Sequence, residues 1–296
     1  MHVVCWVVVL SLRVAQVQAG TDGAMGYFFE QQLVTGTAAE LAQGALPVAI
    51  DAAGKLFPAV LKVGPLVHRG KAASSHYLEV YKWIAGFVTL GVPVLLVFDT
   101  LTGRYPPKAA THMKRAAEAV KHSADAAALD AAHISGSDPD ADAKWSRVVH
   151  RETLRDLVHF ASQVCTALEI RWVVAPFEAD HECAFLSHTS AVGAVYPPHG
   201  DSDLPCYGID TVLFRMLQNG NHSRLCVFEL LGRVVHAKPT KANPVPATVD
   251  LQQVTTIRTL TDIVIAGGCD YFKTKGVAVP TAFLRMARSR GGLREF

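Results

Sequence analysis

Acidic side chains recur just past short apolar runs in this chain. Leu46–Ile50 is followed by Asp51, Val92–Phe98 by Asp99, and Ile170–Ala175 by Glu178 and Asp180 after a Pro-Phe step. Val192–Tyr196 runs out shortly before Asp201 and Asp203, and Asp270 follows the apolar run Leu260–Ala266. A single Asp after a strand is commonly a helix cap or turn residue. Acids gathered at one edge would be different, because carboxylates in a low-dielectric cleft repel one another unless cations sit between them. Oxygen-only ligation, with no nearby Cys or His, suits a hard ion such as Mg2+ or Mn2+ rather than zinc. Two such ions serve phosphodiester hydrolysis, where they activate water and stabilise the attacking and leaving oxygens. On the residues alone, caps and metal ligands both remain open.

The acids can meet only if the elements that carry them are aligned. The apolar runs read as strands, and helical periodicity covers Tyr77–Leu90, Lys108–Ala128, Trp145–Leu168 and Ala179–His188. Strand–helix alternation with near-continuous apolar strands predicts an α/β fold, a mostly parallel sheet covered on both faces. Such sheets bind ligands at the carboxyl ends of their strands, where Asp51, Asp99, Glu178, Asp180, Asp201 and Asp203 all fall. Arg224–Leu231 and Arg233–Ala237 flank Gly232 and read as a hairpin edge, residues 238–250 as a loop, and Gly136–Asp142 as a mobile, turn-rich stretch.

The 296 residues are 50% hydrophobic and 18% charged, enough for a substantial core and incompatible with global disorder. With 28 Lys and Arg against 26 Asp and Glu, the net charge of +2 names no partner, so any nucleic-acid surface has to be local. Residues 104–121 supply one: Arg104, Lys108, Lys114, Arg115 and Lys121 against Glu118 alone, a balance of +4. A second lies in the tail, where Arg285, Arg288, Arg290 and Arg294 face Glu295. Such patches grip phosphates without reading sequence. Six cysteines without a CxxC pair read as reduced, buried thiols rather than a disulfide framework or zinc site. The apolar run Val3–Leu12 is too short to span a bilayer. It reads equally as a signal-like segment ending near Val17-Gln-Ala19, an extension ahead of Met25, or a buried strand. No later stretch reaches membrane-spanning length.

Five blocks, in order, resemble the motifs of the XPG/flap endonuclease family of structure-specific 5′ nucleases. They are Val48-Ala-Ile-Asp-Ala52, Val97-Phe-Asp99, Ala175-Pro-Phe-Glu-Ala-Asp-His-Glu-Cys-Ala184, Asp201-Ser-Asp203 and Gly268-Cys-Asp-Tyr271. The third and fourth are most similar to the exonuclease 1 branch. The resemblance implies a PIN-like core with a helical arch and a carboxyl-terminal helix–two-turn–helix remnant. It implies that Asp51, Asp99, Glu178 and Asp180 hold one Mg2+ or Mn2+, with Asp201, Asp203 and Asp270 holding or positioning a second. Lys108 and Arg115 match the arch residues that grip the scissile phosphate; their spacing of seven puts them two turns apart on one helix face. Phe57 stands where the family stacks a ring on a base, and Arg104 and Lys114 join the basic surface. Lys275-Gly276 opens the stretch resembling the hairpin that binds duplex backbone and K+.

The implied activity is hydrolysis of branched or 5′-ended DNA in repair or replication, in the nucleus, with RNA left open as a substrate. No sliding-clamp motif or membrane partner is expected; a real signal at residues 1–19 would imply a secretory or organellar site instead. The expected organisation is an extension over 1–24, an amino-terminal nuclease region over 25–130, a mobile polar linker over 131–150, an internal nuclease region over 151–237, and a loop with the partial hairpin over 238–296. Three departures stand out: Thr100 after Asp99 where Gly is usual, His199-Gly200 before Asp201 where Thr-Glu is usual, and Ala278 where the hairpin has a second Gly. These keep a second reading in view, an inactive scaffold in RNA regulation or protein assembly.

Overall fold

The computed structural model describes residues 33–71, 73–100, 108–132, 139–148, 150–198, 204–214, 216, 219–226, 234–236 and 248–250. In chain order these form β1 (Val34–Gly36), α1 (Ala38–Gln43), β2 (Val48–Asp51), α2 (Ala53–His68), α3 (Ser75–Thr89), β3 (Val94–Phe98), α4 (Ala109–Ala132), α5 (Pro139–Trp145) and α6 (Arg151–Ala167). They continue with β4 (Arg171–Val174), α7 (Ala179–His188), β5 (Ala194–Tyr196), β6 (Thr211–Phe214), β7 (His222–Cys226), β8 (Val234–His236) and β9 (Thr248–Asp250). A 3₁₀ turn at Leu204–Tyr207 precedes β6.

Seven strands form one sheet in the order β1-β7-β6-β5-β2-β3-β4. The five from β6 to β4 run parallel, and β7 and β1 close one edge antiparallel. Strand side chains alternate between faces. Val48, Ile50, Val94, Leu96 and Phe98 therefore join one buried cluster with Leu56 and Val60 of α2, Ile84 and Phe87 of α3, and Leu157 and Ala161 of α6. Ala49, Val97 and Val195 lie on the opposite face, also fully buried, where α7 packs on β2, β3 and β5. Burial on both faces explains why these strands read as unbroken apolar runs. Each large side chain removed from water, Phe98 or Ile50, contributes about 1.5–3 kcal/mol.

The helices follow from spacing and stops. In α6 the buried residues Leu154, Leu157, Ala161 and Cys165 recur every three or four positions, one stripe toward the sheet. Four helices stop in the same double hydrogen-bond motif. After α2, Gly70 N–H donates to Val67 O and Lys71 N–H to Leu66 O; after α3, Gly91 and Val92 do the same to Val88 and Phe87. Both glycines take the left-handed backbone the motif requires, at φ 63° and 65°. After α6 and α7 the left-handed position falls instead to Glu169 and Ser190, at φ 56° and 55°.

Several expectations need correcting. The helix read over Trp145–Leu168 is two elements, with α5 ending at Trp145 and α6 starting at Arg151. Trp145 is held elsewhere: its ring stacks on His68 at 3.4 Å, and Nε1 donates to Asp130 Oδ2 at 2.9 Å. Part of the stretch read as a mobile linker is α5 itself; Pro139 suits a first helical position, and Asp140 and Asp142 suit the first turn. Asp142 is paired with Arg69 at 2.5 Å. Arg224–Leu231 and Arg233–Ala237 do not pair as a hairpin: β7 joins β6 and β1, and β8 pairs with β9. Residues 248–250, read as loop, are therefore strand. The amino-terminal segment and the partial hairpin lie outside the described residues. No described helix is long and apolar enough to cross a membrane. Cys165, Cys183 and Cys226 are free thiols, the first two buried.

Candidate functional site at the carboxyl rim of the sheet

Asp51 is the last residue of β2 and sits opposite Val97 of β3, two residues before Asp99. The two acids thus leave neighbouring parallel strands at the same end. Asp51 Oδ1 accepts the Ala53 N–H at 2.9 Å, so this carboxylate also caps the start of α2. Asp99 reaches across the chain: its Oδ1 accepts the Ala179 N–H at 2.7 Å, at the first residue of α7. Glu178 is the extended residue ahead of α7, and Asp180, 7% exposed, lies in its first turn. An α-helix start carries unpaired N–H groups and a positive dipole end, and it gathers anions.

The electrostatics record the crowding. Burial pushes the Asp99 carboxyl up to about 6, reinforced by the charges of Asp180 and Glu178 and opposed by the Ala179 N–H and Lys108. Asp180 is also raised, by burial first and by Glu178, against the pull of Lys108. The Cys183 thiol, one turn further along α7, is held well above its usual range by burial and then by Asp51, Asp180 and Asp99. Carboxylates from the ends of β2 and β3 and from α7, Glu182 included, therefore act on one buried spot. Burial lowers His181 next to them.

The cation in this cluster is Lys108, immediately before α4. It is 8% exposed, with Nζ 2.5 Å from Glu178 Oε2 and 3.4 Å from Asp180 Oδ2. Sequence reasoning missed His112, one turn later, whose Nε2 lies 3.4 Å from Glu178 Oε1. Its i+4 spacing from Lys108 was the available signal. Arg115 and Lys114 are exposed on α4, Lys114 facing Glu118 at 3.8 Å. Lys108, just ahead of α4, and Arg115 within it thus do not share an environment. Phe57 is half-buried and packs against the main core. Thr100 needs no left-handed backbone, and its N–H donates to Phe177 O at 3.1 Å, so its replacement of Gly introduces no strain.

Asp51, Asp99, Glu178 and Asp180 are brought to one end of the sheet. Asp201, Asp203, Asp270, Arg104, Lys275 and Gly276 lie outside the described residues. Among the described residues, no three His, Cys, Asp or Glu side chains stand as a ready ligand set for a metal ion.

Residues 169–270 match the family model for the XPG I-region. Exonuclease 1 of Arabidopsis thaliana is 29% identical over 185 residues, covering 62% of this chain and 22% of that protein; the chain thus spans about a fifth of that relative's length. The catalytic core of Rad2, solved in complex with DNA substrate, superposes with a TM-score of 0.60 at 15% identity, over 93% of this chain and 70% of that one. Human GEN1, solved with Holliday junction DNA, gives 0.54 at 14% identity, over 90% of this chain and 55% of that one. These two likenesses establish a shared PIN-like core fold. Residues 169–270 thus carry an XPG I-region within a core whose fold resembles those of Rad2 and GEN1.

Proposed function

We propose that this protein is a divalent-metal-dependent 5′ nuclease that hydrolyses phosphodiester bonds in branched or free-ended DNA, in repair or replication and in the nucleus. The observation that carries the reading is the meeting of Asp51, Asp99, Glu178 and Asp180 at one end of the sheet, with Asp99 Oδ1 2.7 Å from the Ala179 nitrogen and Lys108 Nζ 2.5 Å from Glu178 Oε2.

The residues fit hard divalent ions. All donors are carboxylate oxygens, the chemistry hard divalent ions prefer, although the described side chains alone are not gathered as a ready ligand set. Asp51, Asp99, Glu178 and Asp180 would hold one Mg2+ or Mn2+, and Asp201, Asp203 and Asp270 would hold or position the second, with K+ at the stretch opened by Lys275-Gly276. Bound there, the ions would activate water and stabilise the attacking and leaving oxygens of an in-line displacement.

The chain's own residues do the rest. Asp99 fixes α7 through Ala179, so Glu178 and Asp180 are aimed by the same contact that orders the helix. Arg115, Lys114 and Arg104 carry the positive charge that draws a phosphate backbone to the rim, and Lys108 neutralises charge growing on the scissile phosphate. Phe57, half-buried against the core, supplies the ring that stacks on a terminal base. No side chain forms a covalent bond to DNA.

A labelled 5′-flap oligonucleotide incubated with the pure protein tests the reading. Cleavage in Mg2+, its loss in chelator, and its loss in Asp99→Ala with DNA binding retained are the expected results. DNA binding without Mg2+-dependent product would instead favour a non-catalytic scaffold.

A further inference from the structure

Glu178 has two carboxylate oxygens, and α4 faces both. Lys108 Nζ takes Oε2 at 2.5 Å and reaches on to Asp180 Oδ2 at 3.4 Å. His112 Nε2, buried and without a hydrogen bond, stands 3.4 Å from Oε1. The opposite end of α4 is fastened by other means. Lys144 pairs with Asp125 at 2.9 Å, Arg69 with Asp130 at 3.3 Å, and Ala126 is fully buried beside Ala141 and Trp145. Between the two ends, residues 113–118 are exposed. The helix therefore has a carboxyl-terminal anchor built from α2 and α5, and an amino-terminal one built on acids of the candidate site.

An ammonium between two carboxylates takes up lone pairs that a ligated ion would need. Two cations placed on the same oxygens also repel strongly in a poorly solvated site. We propose that Lys108 and His112 form a latch that seats the start of α4 on Glu178 and Asp180, and that a divalent cation displaces this latch by taking the same carboxylates. Ion binding and release of the first turns of α4 are then one coupled equilibrium, and the coupling is reciprocal. Lys108, buried while latched, becomes available to an arriving phosphate only after the ion is in place. The loading order is ion first and DNA second. This inference rests on reading the acids as a metal site.

Hydrogen exchange and Mn2+ binding on the full chain separate the two ideas. In the wild type, saturating Mn2+ should speed exchange of the amides of residues 112–116 several-fold and leave residues 126–131 unchanged. Lys108→Met should bind Mn2+ about tenfold more tightly, within the usual range of coupling between sites, as read by the free-ion resonance signal. In that variant the first turns of α4 should exchange fast with or without Mn2+. Unchanged or greater protection of residues 112–116 on adding Mn2+ overturns the latch, as does equal or weaker Mn2+ binding by Lys108→Met. If Lys108→Met does not fold, the wild-type exchange result decides alone, and His112→Gln, expected to bind Mn2+ a few-fold more tightly, repeats the affinity comparison. Failure of every form to bind Mn2+ overturns the metal reading together with the latch. Binding without coupling overturns the latch alone.

Discussion

Asp99 Oδ1 accepts the backbone N–H of Ala179 at 2.7 Å, joining the end of β3 to the first turn of α7 across 80 residues of chain. One carboxylate thus serves as a cap for a distant helix and as a member of the acid group. The two roles can be separated by substitution. Asp99→Asn keeps an acceptor for Ala179 and removes a buried like charge; Asp99→Ala leaves the N–H without its partner. We expect Asn to be as stable as the wild type or more so, and Ala to lose about 1–3 kcal/mol in denaturant unfolding. Both should lose at least about a hundredfold in cleavage rate, as when one stabilising group of an active site is removed.

The raised Asp99 predicts an acid-favouring term in stability. An unfolded Asp ionises near 3.9, whereas folded Asp99 holds its proton to about 6. Between those values the folded state binds more protons than the unfolded one, so this group's contribution is full below about pH 4 and is lost as pH rises through 6. The loss amounts to at most about 3 kcal/mol. Unfolding free energies measured from pH 4 to 7 should show the decline in chelator, and Mg2+ should flatten it. An equal slope in Asp99→Asn would remove the assignment.

Gly64 in α2 faces the end of α5 closely: a Cβ there would lie 2.6 Å from the Trp145 carbonyl oxygen. Because the obstacle is backbone, relief requires moving a helix. Gly64→Ala should therefore cost about 1–3 kcal/mol despite the better helix propensity of alanine. Thermal unfolding would register it.

The exposed basic side chains of α4 predict a salt signature. If Lys114 and Arg115 each neutralise one phosphate, replacing either by Ala should lower the slope of log affinity against log salt by about 0.9. Binding titrations of a flap substrate at several salt concentrations would check this, and an unchanged slope would place the DNA path elsewhere.

The shared strand-end position of Asp51 and Asp99 is legible in the sequence, because strand ends and acids are local features. Asp51 and Asp99 sit where an apolar run stops, and α7 spans the predicted Ala179–His188. What was missed depends on distant partners. β1 is three residues whose reason for existing is β7, 188 positions on, with Val34 opposite Arg224 and Gly36 opposite His222. α2 was invisible because it contains Pro58 and Pro65, which argue against a helix locally. Burial of Leu56, Ala59, Val60 and Val63 overrides that penalty. The sequence marks Lys108 as a phosphate grip; that it pairs with Glu178 and Asp180 depends on acids 70 and 72 residues later, which no spacing rule connects.

The left-handed residues that end α6 and α7 lead into β4 and β5, on the side of the sheet opposite the acids. Glu169 and Ser190 each hold a backbone shape that costs a side-chain-bearing residue about 1–2 kcal/mol. Glycine relieves that penalty where α2 and α3 end. An unspent margin of thermal tolerance therefore sits at two positions remote from the acid group, open to improvement without touching it.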